Sequence, residues 1–411
     1  MSDLRQLAAL PHFRAFLAAR LISNLGNGMG PVALAFAVLG LPNANATTLS
    51  WVLGAQSAVT VLMLPFGGVW ADRIGRVRAV AGSDMVLGVL LIGQALLFFT
   101  HTVTVPILVA VACVVGFLHA IWYPAFPTIA PAVVPAERLQ PANSLISGVS
   151  AGASILGGAS AGVIVATIGA PWALMFDALT FLVAGLLVTS LRGLTLPAAK
   201  RESTWHQLKV GWTEFRSYTW VFVIVIAFTF IVMAFAGGHG VLGPVLMKEH
   251  YSGAASWAVV VTCESLGYLV GAAVAFRIRP KWPMRVGMIA MLSFVGFFGA
   301  MALHLPLWAI AATGFLCGVG TELFQTLWYT SLQREVPSES LPRISSYDAF
   351  GSLLFGPIGI ALAGPLSHSW GITPSFWAAT AVIALACVAA LLNPAVRSLQ
   401  AQGTASEDLS V

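Results

Sequence analysis

The sequence predicts an all-α membrane protein with twelve transmembrane helices in two pseudo-symmetric six-helix bundles. Three observations predict it. Charged residues make up 9% of the 411 residues and apolar ones 58%, whereas a soluble domain carries about 25% charge. Apolar runs of about 20 residues, enough to cross a bilayer, recur twelve times. Of the 20 Lys and Arg residues, all but Lys248 fall on one side when an even number of spans is threaded from a cytoplasmic N-terminus, as the inward bias of basic residues requires. Both termini are therefore expected in the cytoplasm.

The first span is read at 13–40. It carries Arg20, Asn24 and Asn27 at spacings of four and three, so three polar groups share one helix face; a water-filled cavity or interhelical hydrogen bonds would account for them. The first apolar run is too long for a signal peptide and no small-residue cleavage site ends it, so it is expected to stay as a true span. Further spans are read at 49–71, 79–100, 104–129, 142–167, 171–191, 218–240, 256–278, 284–303, 306–331, 343–366 and 374–393. The expected domains are an N-terminal bundle, 1–192; a cytoplasmic linker, 193–217; a C-terminal bundle, 218–395; and a disordered cytoplasmic tail, 396–411. In the linker, Trp205, Leu208, Trp212 and Phe215 stand at helical spacing among His206, Lys209, Glu214 and Arg216. That pattern suits an amphipathic helix on the inner leaflet, an anchor in preference to a partner-binding segment.

The halves repeat at an offset of 202: Gly116 with Gly318, Val134-Pro135 with Val336-Pro337, Glu137 with Glu339, Leu139 with Leu341, Gly157 with Gly359, Gly162 with Gly364 and Gly169 with Gly371. Two six-helix units related by an axis along the membrane normal would produce it.

Other classes find little support. The net charge of +5 is spread through short loops and forms no basic tract, so no nucleic-acid partner is expected. Cys113, Cys263, Cys317 and Cys387 lie in apolar runs without ligand spacing, so neither a disulfide nor a metal is expected, and no cofactor. A membrane enzyme would need a nucleophile or metal set, and neither an HExxH nor a GxSxG motif is expected; no catalytic residue is assigned. A channel would show a repeated filter loop or rings of charge.

Residues 68–78, GVWADRIGRVR, interrupt two apolar runs with a tight turn and four charges. Gly68 would let one helix approach another, Gly75 would supply a positive φ, and Asp72 is placed to accept from Arg73, Arg76 or Arg78. Gly68-x-x-x-Asp72-Arg73-x-Gly75-Arg76-x-Arg78 resembles the loop between helices 2 and 3 of the major facilitator superfamily, with Val77 where that family usually has a second basic residue. The corresponding loop of the second half, with Arg277, Arg279, Lys281 and Arg285, lacks the aspartate. The segments VPAERLQPANSL and RISSYDAFGSL resemble the drug:proton antiporter branch that includes macrolide-efflux and siderophore-export proteins. The resemblance implies the major facilitator fold in a bacterial inner membrane. It also implies export of amphipathic drugs by alternating access, driven by inward protons and conferring antibiotic resistance; export of a siderophore or other metabolite is the alternative, and solute uptake a more distant one. The expected partners are the lipid bilayer, a small amphipathic substrate and protons, with the protein a monomer. In that family the latch closes at the cytoplasmic end of helix 11, where Arg343 and Asp348 lie.

A charge at the bilayer centre costs about 3 kcal/mol, so buried acids need a reason. Three are read as such: Asp177 in the outer third of the sixth span, Glu264 in the eighth and Glu322 in the tenth. Glu264 and Glu322 are read as proton or cation-substrate sites in preference to ion pairs; Asp177 is a candidate of the same kind, at a depth that also permits contact with outer water. Gln325 and Tyr329 share the face of Glu322. His119, with Trp122, Tyr123 and Phe126 on its face, holds the repeat-related place; it fits either a cavity wall or an ordinary core position. Residues 153–158, ASILGG, are similar to the GPxxGG antiporter motif but lack its proline, and helix packing explains them equally well.

Overall fold

The structure is a computed structural model that describes residues 7, 10–135, 138–191, 204–337 and 340–400, with the side chains of 204–210, 342 and 343 outside the description. Among the described residues, twelve helices are long and apolar enough to span a membrane: α1 Pro11–Leu39, α2 Ala46–Ile74, α3 Arg76–Phe99, α4 Val105–Thr128, α5 Leu139–Thr167, α6 Ala170–Thr189, α7 Thr219–His250, α8 Ala254–Arg277, α9 Pro283–Ala302, α10 Leu307–Glu335, α11 Ile344–Trp370 and α12 Ile372–Leu392. The predicted spans match in number and order. The main difference is α7, expected to end at 240, which runs to His250 through a π segment, Gly238–Leu242. Large apolar side chains face outward, Phe276 at 88% exposure and Trp308 at 74% among them, as lipid contact demands.

Helix boundaries follow local chemistry. α2 starts at a capping box in which Asn45 accepts from the Thr48 amide and Thr48 Oγ1 accepts from the Asn45 amide. Proline in the first turn opens α1, α4, α6 and α9, where its missing N–H costs nothing. Gly169 (φ +100°) and Gly371 (φ +90°) precede α6 and α12 in a backbone conformation that side chains resist.

The chain divides into two compact units: 1–200 with Met247–Val259, and Arg201–Leu246 with 260–411. In the first, α1 packs on α5 and α6, α2 on α4, and α3 on α6. The Lys248 ammonium donates to the Leu39 carbonyl at the end of α1. In the second, α7 packs on α11 and α12, and α9 on α10 and α12.

The repeat survives as backbone contacts. A Cβ on Gly116 would collide with the carbonyl of Gln56 on α2, and one on Gly318 with the carbonyl of Glu264 on α8. Gly157 is pressed against the Leu25 carbonyl of α1, and Gly359 against the Met233 carbonyl of α7. The ASILGG stretch is thus close helix contact, with Gly28 in turn seated on the Ser154 carbonyl. Glu137 and Glu339 lie outside the described residues.

The linker helix, Thr204–Ser217, belongs to the second unit, where Phe215 is buried and stacked 5.5 Å from Tyr347. The side chains of Trp205, His206, Leu208 and Lys209 lie outside the description. Of the expected tail, 401–411 lie outside the described residues, while Val396 is fully buried in a short helix, Pro394–Arg397. Ordered packing therefore continues past 395.

Candidate functional site

In the first unit a cavity of about 410 Å³ is lined by Arg20, Asn24, Asn27, Gln56, Asp84, His119, Trp122 and Tyr123, among others. Arg20 Nε donates to Ser150 Oγ on α5 at 3.0 Å, and the guanidinium lies 4.4 Å from the Phe126 ring and 5.4 Å from Trp122. A cation held on aromatic faces and one hydroxyl keeps donors free for a guest. Asn24 is turned back onto the Arg20 carbonyl at 2.7 Å, whereas Asn27, one turn along the same face, is exposed in the cavity.

A second cavity of about 170 Å³ shares Asn27, Gln56 and His119 with the first and adds Gln94 and Asp177. Asp177 occupies space left by two glycines: a Cβ on Gly30 would lie 2.8 Å from its Oδ2, and one on Gly26 would press on Oδ1. Its Oδ1 is buried without a hydrogen bond. Asp84 is equally enclosed at 3% exposure, beside Trp122; its Oδ1 and the Trp122 indole N–H are each buried without a hydrogen bond. The expectation of three buried acids omitted Asp84.

In the second unit Glu264 is 3% exposed and fully engaged. Its Oε2 lies 2.9 Å from His239 Nε2 on the π segment of α7, and its Oε1 accepts from the Tyr268 hydroxyl at 2.9 Å. Glu322 is half-buried rather than enclosed, beside Gly271, where a Cβ would lie 2.9 Å from its own Cβ. Gln325 is half-buried and Tyr329 is 55% exposed.

At the α2–α3 turn, Gly75 has φ +94° and Asp72 Oδ1 accepts from Arg76 Nε at 2.7 Å, while Arg73 and Arg78 are exposed. The glycine that permits close approach is Gly67 and not Gly68. A Cβ on Gly67 would strike the Ala120 carbonyl of α4, whereas one on Gly68 finds only Pro124 Cβ at 3.8 Å. Asp348 accepts from Trp328 Nε1 at 3.0 Å and from Ser352 Oγ at 3.3 Å; the Arg343 side chain lies outside the description.

Against the expectation of no GxSxG motif, two Gly-x-Ser-x-Gly runs are present, at 148–152 and 158–162, both inside α5. Ser150 accepts from Arg20, and Ser160 donates to the Gly157 carbonyl at 2.9 Å. Neither stands on the strand-to-helix elbow that makes such a serine a nucleophile.

The model of the Major Facilitator Superfamily matches residues 15–255. The chain belongs to that superfamily. It is a multi-pass transporter of a bacterial inner membrane, not an enzyme. The enterobactin exporter EntS of Escherichia coli O1:K1 is 26% identical over 386 residues, spanning 89% of this chain and 90% of the relative. EntS of Citrobacter koseri is 27% identical over 388 residues, with the same coverage. Among solved structures, a bacterial homologue of the iron transporter ferroportin superposes with a TM-score of 0.73 at 16% identity, covering 93% of this chain and 98% of that one. A bacterial homologue of the lysosomal transporter Spinster gives 0.70 at 15% identity, covering 95% and 98%. These structures share the facilitator fold.

For this facilitator, sequence reasoning missed Asp84, Gln56, Gln94, His239 and Tyr268. Asp84 lies eight residues beyond Arg76, about 12 Å along a helix, and that depth was the available signal. His239 carries no signal of its own in an AGGHGVLGP run, and its partner is 25 residues away. Tyr268, at i+4 from Glu264 on one helix, was legible.

Proposed function

We propose that this facilitator exports an amphipathic small molecule bearing aromatic groups, in exchange for inward protons, by alternating access. The observation that carries the reading is the cavity of about 410 Å³ in the first unit. Its cationic Arg20, stacked on Trp122 and Phe126, suits a flat or polar-substituted ring, and its amides suit hydroxyls. A sugar site would offer more hydrogen-bonding groups and fewer apolar walls.

The relatives named as enterobactin exporters favour a siderophore-type metabolite as cargo; a multidrug substrate, with the antibiotic resistance that follows, is the second reading, supported by the aromatic lining. Buried acids in an apolar interior support the proton as coupling ion, with Asp177, Glu264, Glu322 and His119 as its candidate carriers. The basic residues, all but Lys248 on one side, support cytoplasmic termini. The 68–78 turn, with its Asp72–Arg76 pair, then belongs to the cytoplasmic gate, together with Asp348 and Arg343. The working unit is taken as one chain.

Proteoliposomes under an imposed pH gradient test the reading, with enterobactin and ethidium as alternative probes. Enterobactin should accumulate when the gradient is imposed and stop when an uncoupler collapses it. Ethidium transport alone would move the assignment to drugs, and movement of either probe indifferent to the gradient would end proton coupling.

A further inference from the structure

The π segment of α7 has a local cause. Pro244 offers no N–H to the Gly240 carbonyl, and a proline ring clashes with the carbonyl four residues back. The chain accordingly takes wider i→i+5 bonds through Gly238–Leu242. Gly237 and Gly238 fit this stretch into its neighbours: a Cβ on Gly237 would lie 2.5 Å from the Gly359 carbonyl of α11, and one on Gly238 would lie 2.7 Å from Phe298 of α9. Gly240 has nothing within 4 Å, so room remains beside the histidine.

His239 is the one titratable side chain in that segment, and it reaches Glu264 on α8. The carboxylate is bonded at both oxygens, and its backbone is pinned by Gly318 of α10. The titratable groups facing it are His239 from α7, Tyr268 on its own helix and Cys317 from α10, with Glu322 further along α10. No Lys or Arg is among these described neighbours. Of its two hydrogen-bond partners, His239 is the one that can carry a positive charge.

Resting on the proton-coupled reading above, we infer that His239, Glu264 and Tyr268 form the proton-binding site of this transporter, with the π segment as the element that responds to it. A proton from water enters the bond between Nε2 and Oε2 and later leaves by the same atoms; no other bond is made or broken. With it, an imidazolium and a carboxylate tie α7 to α8 by a charge-assisted bond. Without it, only the carboxylate is charged, and the tie is a weaker hydrogen bond kept only by the tautomer that protonates Nε2. Tyr268 O–H holds the carboxylate in place through both states.

The test uses the full-length transporter in proteoliposomes with enterobactin, comparing the parent with E264Q, H239Q and Y268F, each checked for a parental melting profile. E264Q should lose about tenfold or more of gradient-driven accumulation while keeping gradient-free counterflow. Infrared titration supplies a substrate-independent readout. The parent should show an imidazolium band that gives way to imidazole as pH rises, with a shift of the Glu264 carboxylate stretch that tracks it; H239Q should lack the imidazolium change, E264Q should lack the carboxylate shift, and Y268F should alter that shift. Accumulation in E264Q equal to the parent's, or a carboxylate shift that persists in it unchanged, overturns the site. Counterflow lost together with accumulation also overturns it, placing Glu264 in cargo binding. A parent indifferent to the gradient overturns the proton-coupled reading itself, a result distinct from any of these.

Discussion

The two halves share a scaffold and differ in what fills it. Gly116 and Gly318 meet the backbones of Gln56 and Glu264, so those two residues are repeat-related, yet one is a neutral amide on a cavity wall and the other a buried acid tied to histidine and tyrosine. The first half keeps its acids, Asp84 and Asp177, enclosed with unsatisfied oxygens beside open space. The second half encloses Glu264 with both oxygens bonded. What the repeat preserves is the close approach of helix backbones, which only glycine allows; the polar chemistry has diverged around it.

The largest expected effect breaks that contrast directly. Glu264→Ala strips His239 and Tyr268 of their acceptor and should cost about 3 kcal/mol. Asp177→Asn, which replaces an acid that has an unbonded oxygen by its isostere, should cost little or stabilise. Thermal unfolding of detergent-purified variants ranks them, and equal losses would erase the distinction. Next come the shared contacts: Gly157→Ala and Gly359→Ala each drive a methyl into a carbonyl and should cost about 1–3 kcal/mol alike. Gly148→Ala, with nothing within 4 Å, should be neutral. A large difference between the first two would mean the repeat has relaxed in one half. Within the first half, Gly67→Ala should destabilise while Gly68→Ala leaves the melting midpoint in place. The smallest stability effect belongs to Asp72→Asn, whose exposed pair with Arg76 contributes less than about 1 kcal/mol. Its transport should nevertheless fall, and unimpaired transport by inserted protein would remove the turn from the gate.

The architecture was legible because a bilayer imposes length and apolarity on every span, and those are properties of single segments. The glycine repeat was legible for the same reason: Gly169 and Gly371 are marked by type and spacing alone. Which of two adjacent glycines touches a neighbour depends on helix rotation, and so Gly67 passed unnoticed beside Gly68. Asp84 stands about two turns into α3, deep enough to have been suspected, but its enclosure beside Trp122 of α4 is tertiary and is not written in its own segment. The His239–Glu264 pair is tertiary: proline chemistry sets the π turn, and the turn aims a histidine that periodicity would place elsewhere.

That turn also leaves a mark on the chain's arithmetic. A π segment spends one more residue per turn than a regular helix, so α7 holds a residue in surplus at Gly238–Leu242. Deleting a residue from a regular span swings everything beyond it through about 100° and re-aims each later side chain. Excising Gly240 should instead absorb the surplus, leaving the far end of α7 facing nearly as before while Pro244 keeps its break in the hydrogen-bond ladder and His239 loses its aim at Glu264.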